Sequence, residues 1–309
     1  MSSFGLSNLF RATPPPLTDE RLAVTHPVAH DSALNAVGRR GALSYTFERQ
    51  GARTILTRST CSSPWHYFPP AFLDDSGCAY TWLVNPSGGL VGGDYVAVAA
   101  QLQADTHVVM TSPSANRVYR SEGKSAEQEI RLAVGSGARM EWLPEVTIPF
   151  AGSRFRQSIQ IDLAPGATVV LWDAMASGRV ARGERWAFAS YENEIVIRTA
   201  AGAAAVERFL VTPDSVGTMV KNWDYVGSLF VVGDSVELDR LATLEIKLGE
   251  LCGRQPRELL GGVSRPAVPG LVVKVVARSA PALADFLEAA WQNIREVLWA
   301  LPIAALRRY

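Results

Sequence analysis

From about residue 41 to residue 235 the chain repeats one local pattern, and that pattern removes most fold classes. Short runs rich in Val, Ile, Thr and aromatic residues alternate with clusters of Gly, Pro, Asn, Asp and Ser. Branched and aromatic side chains suit a pleated backbone, whereas Gly, Asn and Asp supply turn conformations, so the runs read as strands and the clusters as turns. Strands are expected at residues 52–57, 79–84, 95–102, 107–111, 129–134, 158–163, 169–172, 192–198, 205–211 and 229–232. No long amphipathic helix separates them, which disfavours a doubly wound α/β fold. No fixed-period repeat is visible in the sequence.

Two helices are expected late in the chain. Over residues 235–251, Leu238, Leu241, Leu244, Leu248 and Leu251 recur at three- and four-residue steps. Further on, Ser279 suits an N-cap and Pro281 the first turn, where a missing N–H costs nothing. Leu283, Phe286, Leu287, Ala290, Trp291, Ile294, Val297 and Leu298 then form a continuous apolar stripe that Pro302 ends. Residues 270–278 read as a buried strand between the helices. A stripe of this kind usually packs on its own core. A partner-binding surface is the sharper alternative, with Trp291 and Leu298 as its candidates. Residues 1–40 read as a mobile, Pro-containing tail around Pro14, Pro15 and Pro16, and residues 41–309 as a single domain. His26 and His30 stand at an i, i+4 spacing that suits a metal, although solvated histidines in a mobile arm are the commoner explanation.

Composition narrows the functional classes. Lys+Arg and Asp+Glu are both 30, so the net charge is +0 and the basic excess of a nucleic-acid binder is missing. The three cysteines, Cys61, Cys78 and Cys252, make no C-x-x-C pair, which argues against a disulfide framework or a zinc cage and for a reducing cytoplasm. No apolar run approaches the ~20 residues of a bilayer span, so no membrane role is expected. No basic stretch leads into a long apolar run at the start, so no signal peptide is expected.

Four segments carry unusual chemistry. Residues 85–94 hold four glycines. A phosphate loop would need a G-K-[ST] ending and a following helix, and a tight β-connection explains the segment better. Residues 111–121 offer Ser112 and Ser114 as nucleophiles, but without a G-x-S-x-G context, so turn capping is the commoner role. Glu141 and Glu145 lie in residues 141–150, and Asp173 and Glu184 follow. Paired carboxylates on a β scaffold suit glycoside hydrolysis, which makes a carbohydrate-active enzyme the alternative function. Ion pairs with Arg179 and Arg182 explain them as well.

The order of these blocks says more than any one of them. G-G-L-V-G-G-D, T-S-P-S-A-N-R-V-Y-R-S, E-W-L-P-E-V-T-I-P-F and G-R-V-A-R-G-E follow one another, ahead of a helix, a V-V-K-V strand and a final amphipathic helix. Together, over residues 41–309, they resemble the UreD (also UreH) family of urease accessory proteins. Glu145 stands where many relatives carry glutamine, and the chain ends Arg307-Arg308-Tyr309 where relatives often end in an Arg–aromatic sequence. The resemblance implies a non-enzymatic, cytoplasmic assembly factor that binds apo-urease and UreF and, through UreF, the GTPase UreG. It implies a mainly β fold, with antiparallel sheets in a β-helix-like arrangement and two helices near the C-terminus. It also implies no tightly bound cofactor, only nickel in transit through a polar passage. A conduit must hold its ion weakly, so no fixed metal site is expected. Asp94, Asp173 and Glu184 are the passage candidates. Asp94 closes the glycine block, Asp173 follows an apolar run, and Glu184 sits beside Gly183.

Overall fold

The computed structural model describes residues 39–217 and 220–306. The Pro14–Pro16 cluster, His26 and His30 lie outside the described residues. Two sheets face each other. The first has seven strands: β1 (Arg40–Gln50), β2 (Arg53–Cys61), β4 (Tyr95–Leu102), β7 (Ala126–Val134), β10 (Arg154–Leu163), β12 (Ser190–Thr199) and β13 (Gly202–Val211), ordered β13-β12-β10-β7-β4-β1-β2. The second has nine. Its main path runs through β15 (Leu259–Ser264), β16 (Gly270–Ala277), β14 (Tyr225–Gly233), β11 (Thr168–Ala176), β8 (Arg139–Leu143), β5 (His107–Thr111) and β3 (Ala79–Trp82). The short β6 (Asn116–Val118) and β9 (Thr147–Pro149) pair beside it.

The chain crosses from the first sheet to the second at β4–β5, β7–β8 and β10–β11, and each crossing stacks on the one before. The result is a β-solenoid of about four turns. Its central strands are parallel: β4 with β7, β7 with β10, β10 with β12, β5 with β8, and β8 with β11. This corrects the expectation of antiparallel sheets. A coil brings every turn back in the same direction, and a strand that returns by a hairpin or by a longer connection outside the coil runs against it. Antiparallel pairs therefore sit at the flanks, in β1–β2, β12–β13, β11–β14, β14–β16 and β15–β16.

Between the sheets, alternate residues of each strand form one core, with Phe47, Val98, Ile130, Ile159 and Ile195 meeting Met140, Leu171 and Phe230. The outer face of the nine-stranded sheet is covered by α1 (Leu238–Gly253) and α2 (Ala280–Trp299). Ser279 caps α2, its hydroxyl accepting from Ala282 N at 3.3 Å, and Pro281 occupies the first turn. The α2 stripe packs on Val170, Trp172, Leu229 and Leu271. Trp291 is 1 % exposed and Leu298 is 6 % exposed, so both partner-surface candidates lie in the chain's own core. The stripe gains more by covering the bare sheet beside it than by facing water. With helices on one side and the first sheet on the other, β11 is buried along its whole length. That explains its nearly unbroken apolar run and makes Asp173, in its middle, the exception.

Candidate functional site

The first three sequence blocks converge on one cleft of about 260 Å³. Asn85 and Gly89 come from the glycine block, Ser112 and Asn116 from the second, Glu145 and Thr147 from the third. Gly89 has φ +151°, and a Cβ there would stand 2.4 Å from the Arg117 carbonyl oxygen and 2.7 Å from the Tyr119 ring. Only glycine lets the first block lie this close to the second. Leu90 bridges Val118 in strand fashion, so the glycine block is a tight β-connection that forms a wall of the cleft. Ser112 ties the second block to the third, its hydroxyl accepting from Glu145 N at 2.8 Å, a bond across the fold where a local turn cap was expected.

The base of the cleft is polar and lies inside the solenoid. Gln128, Gln157 and Asn193 share one rung of β7, β10 and β12, on strands whose next inward residues are Ile130, Ile159 and Ile195. Asp173 faces them from β11, because its two-apart neighbours Leu171 and Met175 also point between the sheets. A chain of hydrogen bonds links the groups. Asn116 Nδ2 donates to Gln128 Oε1 at 3.3 Å, and Gln128 Nε2 donates to Gln157 Oε1 at 3.1 Å. Gln157 Nε2 donates to Asp173 Oδ1 at 2.9 Å and Asn193 Nδ2 to Asp173 Oδ2 at 2.9 Å. Asp173 is 7 % exposed, yet these hydrogen-bond partners are neutral amides. Burial pushes its pKa above the ordinary aspartate value, while the Gln157 and Asn193 hydrogen bonds and the Lys274 charge act the other way. Asp173 and Gln157 both line the cleft.

The other two passage candidates are held elsewhere. Asp94 accepts from Arg39 N at 2.7 Å and Val91 N at 2.9 Å, so it braces the glycine block against the start of β1. It shapes the wall without lining the cleft. Glu184 receives the Arg179 guanidinium on both carboxylate oxygens and caps Ala151 N at 3.3 Å. That pairing lowers its pKa, with the Arg179 hydrogen bond as the main cause. Of the three, the structure brings only Asp173 to the cleft.

A second buried cluster escaped the sequence reading. Glu141 on β8 is fully buried and points toward α2. Arg295 Nε donates to its two oxygens at 3.1 and 3.0 Å, and Arg295 Nη2 to Oε1 at 2.8 Å. His107 Nε2 lies 2.5 Å from Oε1, and Trp291 Nε1 donates to Oε2. Arg295 Nη1 also reaches Asp74 Oδ2 at 3.2 Å and the Pro302 carbonyl at 2.7 Å. Burial alone would raise the Glu141 pKa, but His107 and then Arg295 hold it below the usual carboxylate range. Cys78, His107 and Glu141 place ligand-type atoms within 4.8 Å of one another, a grouping that suits a metal. The rest of the cluster does not fit one. The Arg295 cation stands among the three, 3.8 Å from Cys78 Sγ. Burial, and then the Glu141 charge, push the Cys78 thiol well up, away from the thiolate a metal needs. The group is an ion network that fastens α2 to β8.

Comparison with known proteins agrees with the block order. The family model described as UreD urease accessory protein matches residues 39–309. The chain is 30% identical to the urease accessory protein UreD of Cupriavidus necator over 291 residues, 91% of this chain and 98% of that protein. It is 34% identical to the UreD of Deinococcus radiodurans over 282 residues, 88% of this chain and 97% of that protein. Urease accessory protein UreD 2 of Streptomyces griseus is 32% identical over 298 residues, 93% of this chain and 100% of that protein. With a family match along almost the whole chain, and relatives covered nearly end to end, the chain belongs to the UreD family of urease accessory proteins, which serve urease maturation and are not enzymes.

Proposed function

We propose that the chain works in the cytoplasm on apo-urease together with UreF and, through UreF, UreG, and that nickel on its way to the apo-enzyme passes the polar cleft that ends on Asp173. The observation that carries this reading is a buried carboxylate at the base of a cleft built by three family-like blocks, held by neutral amides. Nickel accepts oxygen and nitrogen ligands. One carboxylate with carboxamides, hydroxyls and carbonyls gives an ion somewhere to pause without holding it. A thiolate and imidazole cage would bind too tightly for transfer. No helix among the described residues is long and apolar enough to cross a membrane.

The test compares Asp173→Ala, Asp94→Ala and Glu184→Ala in urease activation and in pull-down with UreF and apo-urease. Asp173→Ala is expected to lower activation with the complex intact. Asp94→Ala and Glu184→Ala act on the fold first, and their activation should follow their thermal stability. Normal activation by Asp173→Ala overturns the passage. Loss of the complex in that variant makes the residue structural.

A further inference from the structure

The polar layer continues beyond Asp173. Asp173 pairs with Ser228 on β14, and Ser228 pairs with Lys274 on β16. All three face the first sheet, because Leu171, Phe230 and Val272, each two residues away, pack in the core between the sheets. Their immediate neighbours Trp172, Leu229 and Val273 pack under the helices. This arm runs away from the cleft: β14 and β16 lie on one side of β11, and β8, which carries the cleft residue Trp142, lies on the other. Glu207 reaches across from the edge strand β13. Ser228 Oγ donates to Glu207 Oε1 at 2.9 Å, and Lys274 Nζ donates to Ser228 Oγ at 2.8 Å while pairing with Glu207. The Glu207 side chain is 10% exposed and that of Lys274 is 53%, so the layer meets solvent here. The ammonium also sits 5.2 Å from the centre of the Phe230 ring.

Glu207 and Ser228 offer carboxylate and hydroxyl oxygens, which suit a divalent cation. The cation they hold is an ammonium. We propose that Lys274 gates a second mouth of the polar layer, its ammonium keeping the Glu207–Ser228 position from a divalent cation that leaves Asp173. An ion takes that position only by displacing the lysine, whose flexible stem can carry the charge into the adjoining water.

The test uses the full chain, with nickel chloride as the probe in equilibrium dialysis and a thermal melt to establish folding. Lys274→Met frees Glu207 and should tighten nickel binding by about tenfold or more, because ligand charge count sets affinity at oxygen sites. Lys274→Arg keeps the cation and should bind as the parent does. Lys274→Met/Glu207→Gln removes the freed carboxylate and should lose the gain. Parental binding by a folded Lys274→Met, or a gain that survives Glu207→Gln, overturns the gate. The inference rests on the passage reading, but the two fail separately. Normal urease activation by the Asp173 variant removes the passage, whereas parental nickel binding by Lys274→Met removes the gate alone.

Discussion

Replacing Arg295 with methionine keeps most of the side-chain volume and removes the charge. Glu141, fully buried, would then keep only His107 and Trp291, and Asp74 and the Pro302 carbonyl would each lose a donor. Breaking a buried pair by deleting one partner typically costs about 3–5 kcal/mol, because the survivor stays desolvated without its counter-charge. On a chain of this size the melting temperature should fall by roughly 6–15 °C. Urea unfolding followed through the fluorescence of the eight tryptophans measures the free-energy loss, and a thermal melt the temperature shift. The pH dependence has a definite sign. Glu141 is held below its ordinary pKa in the folded chain, so its contribution is present above the usual carboxylate range and disappears as pH falls through the lowered value. The gap between parent and variant should therefore narrow in acid. The double variant Arg295→Met/Glu141→Gln should recover part of the loss, since removing both charges leaves neither stranded. A loss under about 1 kcal/mol in the single variant refutes the network as the fastening of α2. Stoichiometric nickel uptake through Cys78 and His107 in the parent chain would instead make the cluster a metal centre.

Two further outcomes follow from the cleft. Asp173 has its pKa raised by burial, so ionising it weakens the fold; the stability of Asp173→Asn relative to the parent should therefore rise as pH climbs from 3.8, the ordinary aspartate value, toward 7. Thermal melts of both proteins across that range check it, and a difference that does not change with pH refutes the assignment. Gly89→Ala forces a Cβ against the Arg117 carbonyl and should cost about 1–3 kcal/mol in urea unfolding, with urease activation reduced as the cleft wall shifts.

Much of the architecture was written locally. Alternation of Val, Ile and aromatic residues with turn residues marked most strands, and Ser279, Pro281 and the apolar stripe marked α2, because these preferences act over a few neighbours. The order of the four blocks pointed to the family for the same reason: it is a property of the chain, not of the packing. Some strands were less legible. β1, β6, β8, β9 and β15 were not among those expected; β8 carries Glu141 where an apolar residue would have signalled burial. The solenoid left no period, since its rungs pair Tyr95, Glu127, Arg156 and Glu192 at unequal spacing. Parallel pairing was hidden with it, because strand direction depends on how turns stack. Only tertiary structure decided that Trp291 and Leu298 face the sheet, and that Asp173 reaches the cleft while Asp94 and Glu184 are held by backbone and Arg179. Only tertiary structure brought Arg295 to Glu141, 154 residues away in sequence, and set Lys274 against Glu207. A carboxylate's partners come from across the fold, and no local pattern of residues specifies which cation, amide or helix will stand opposite it.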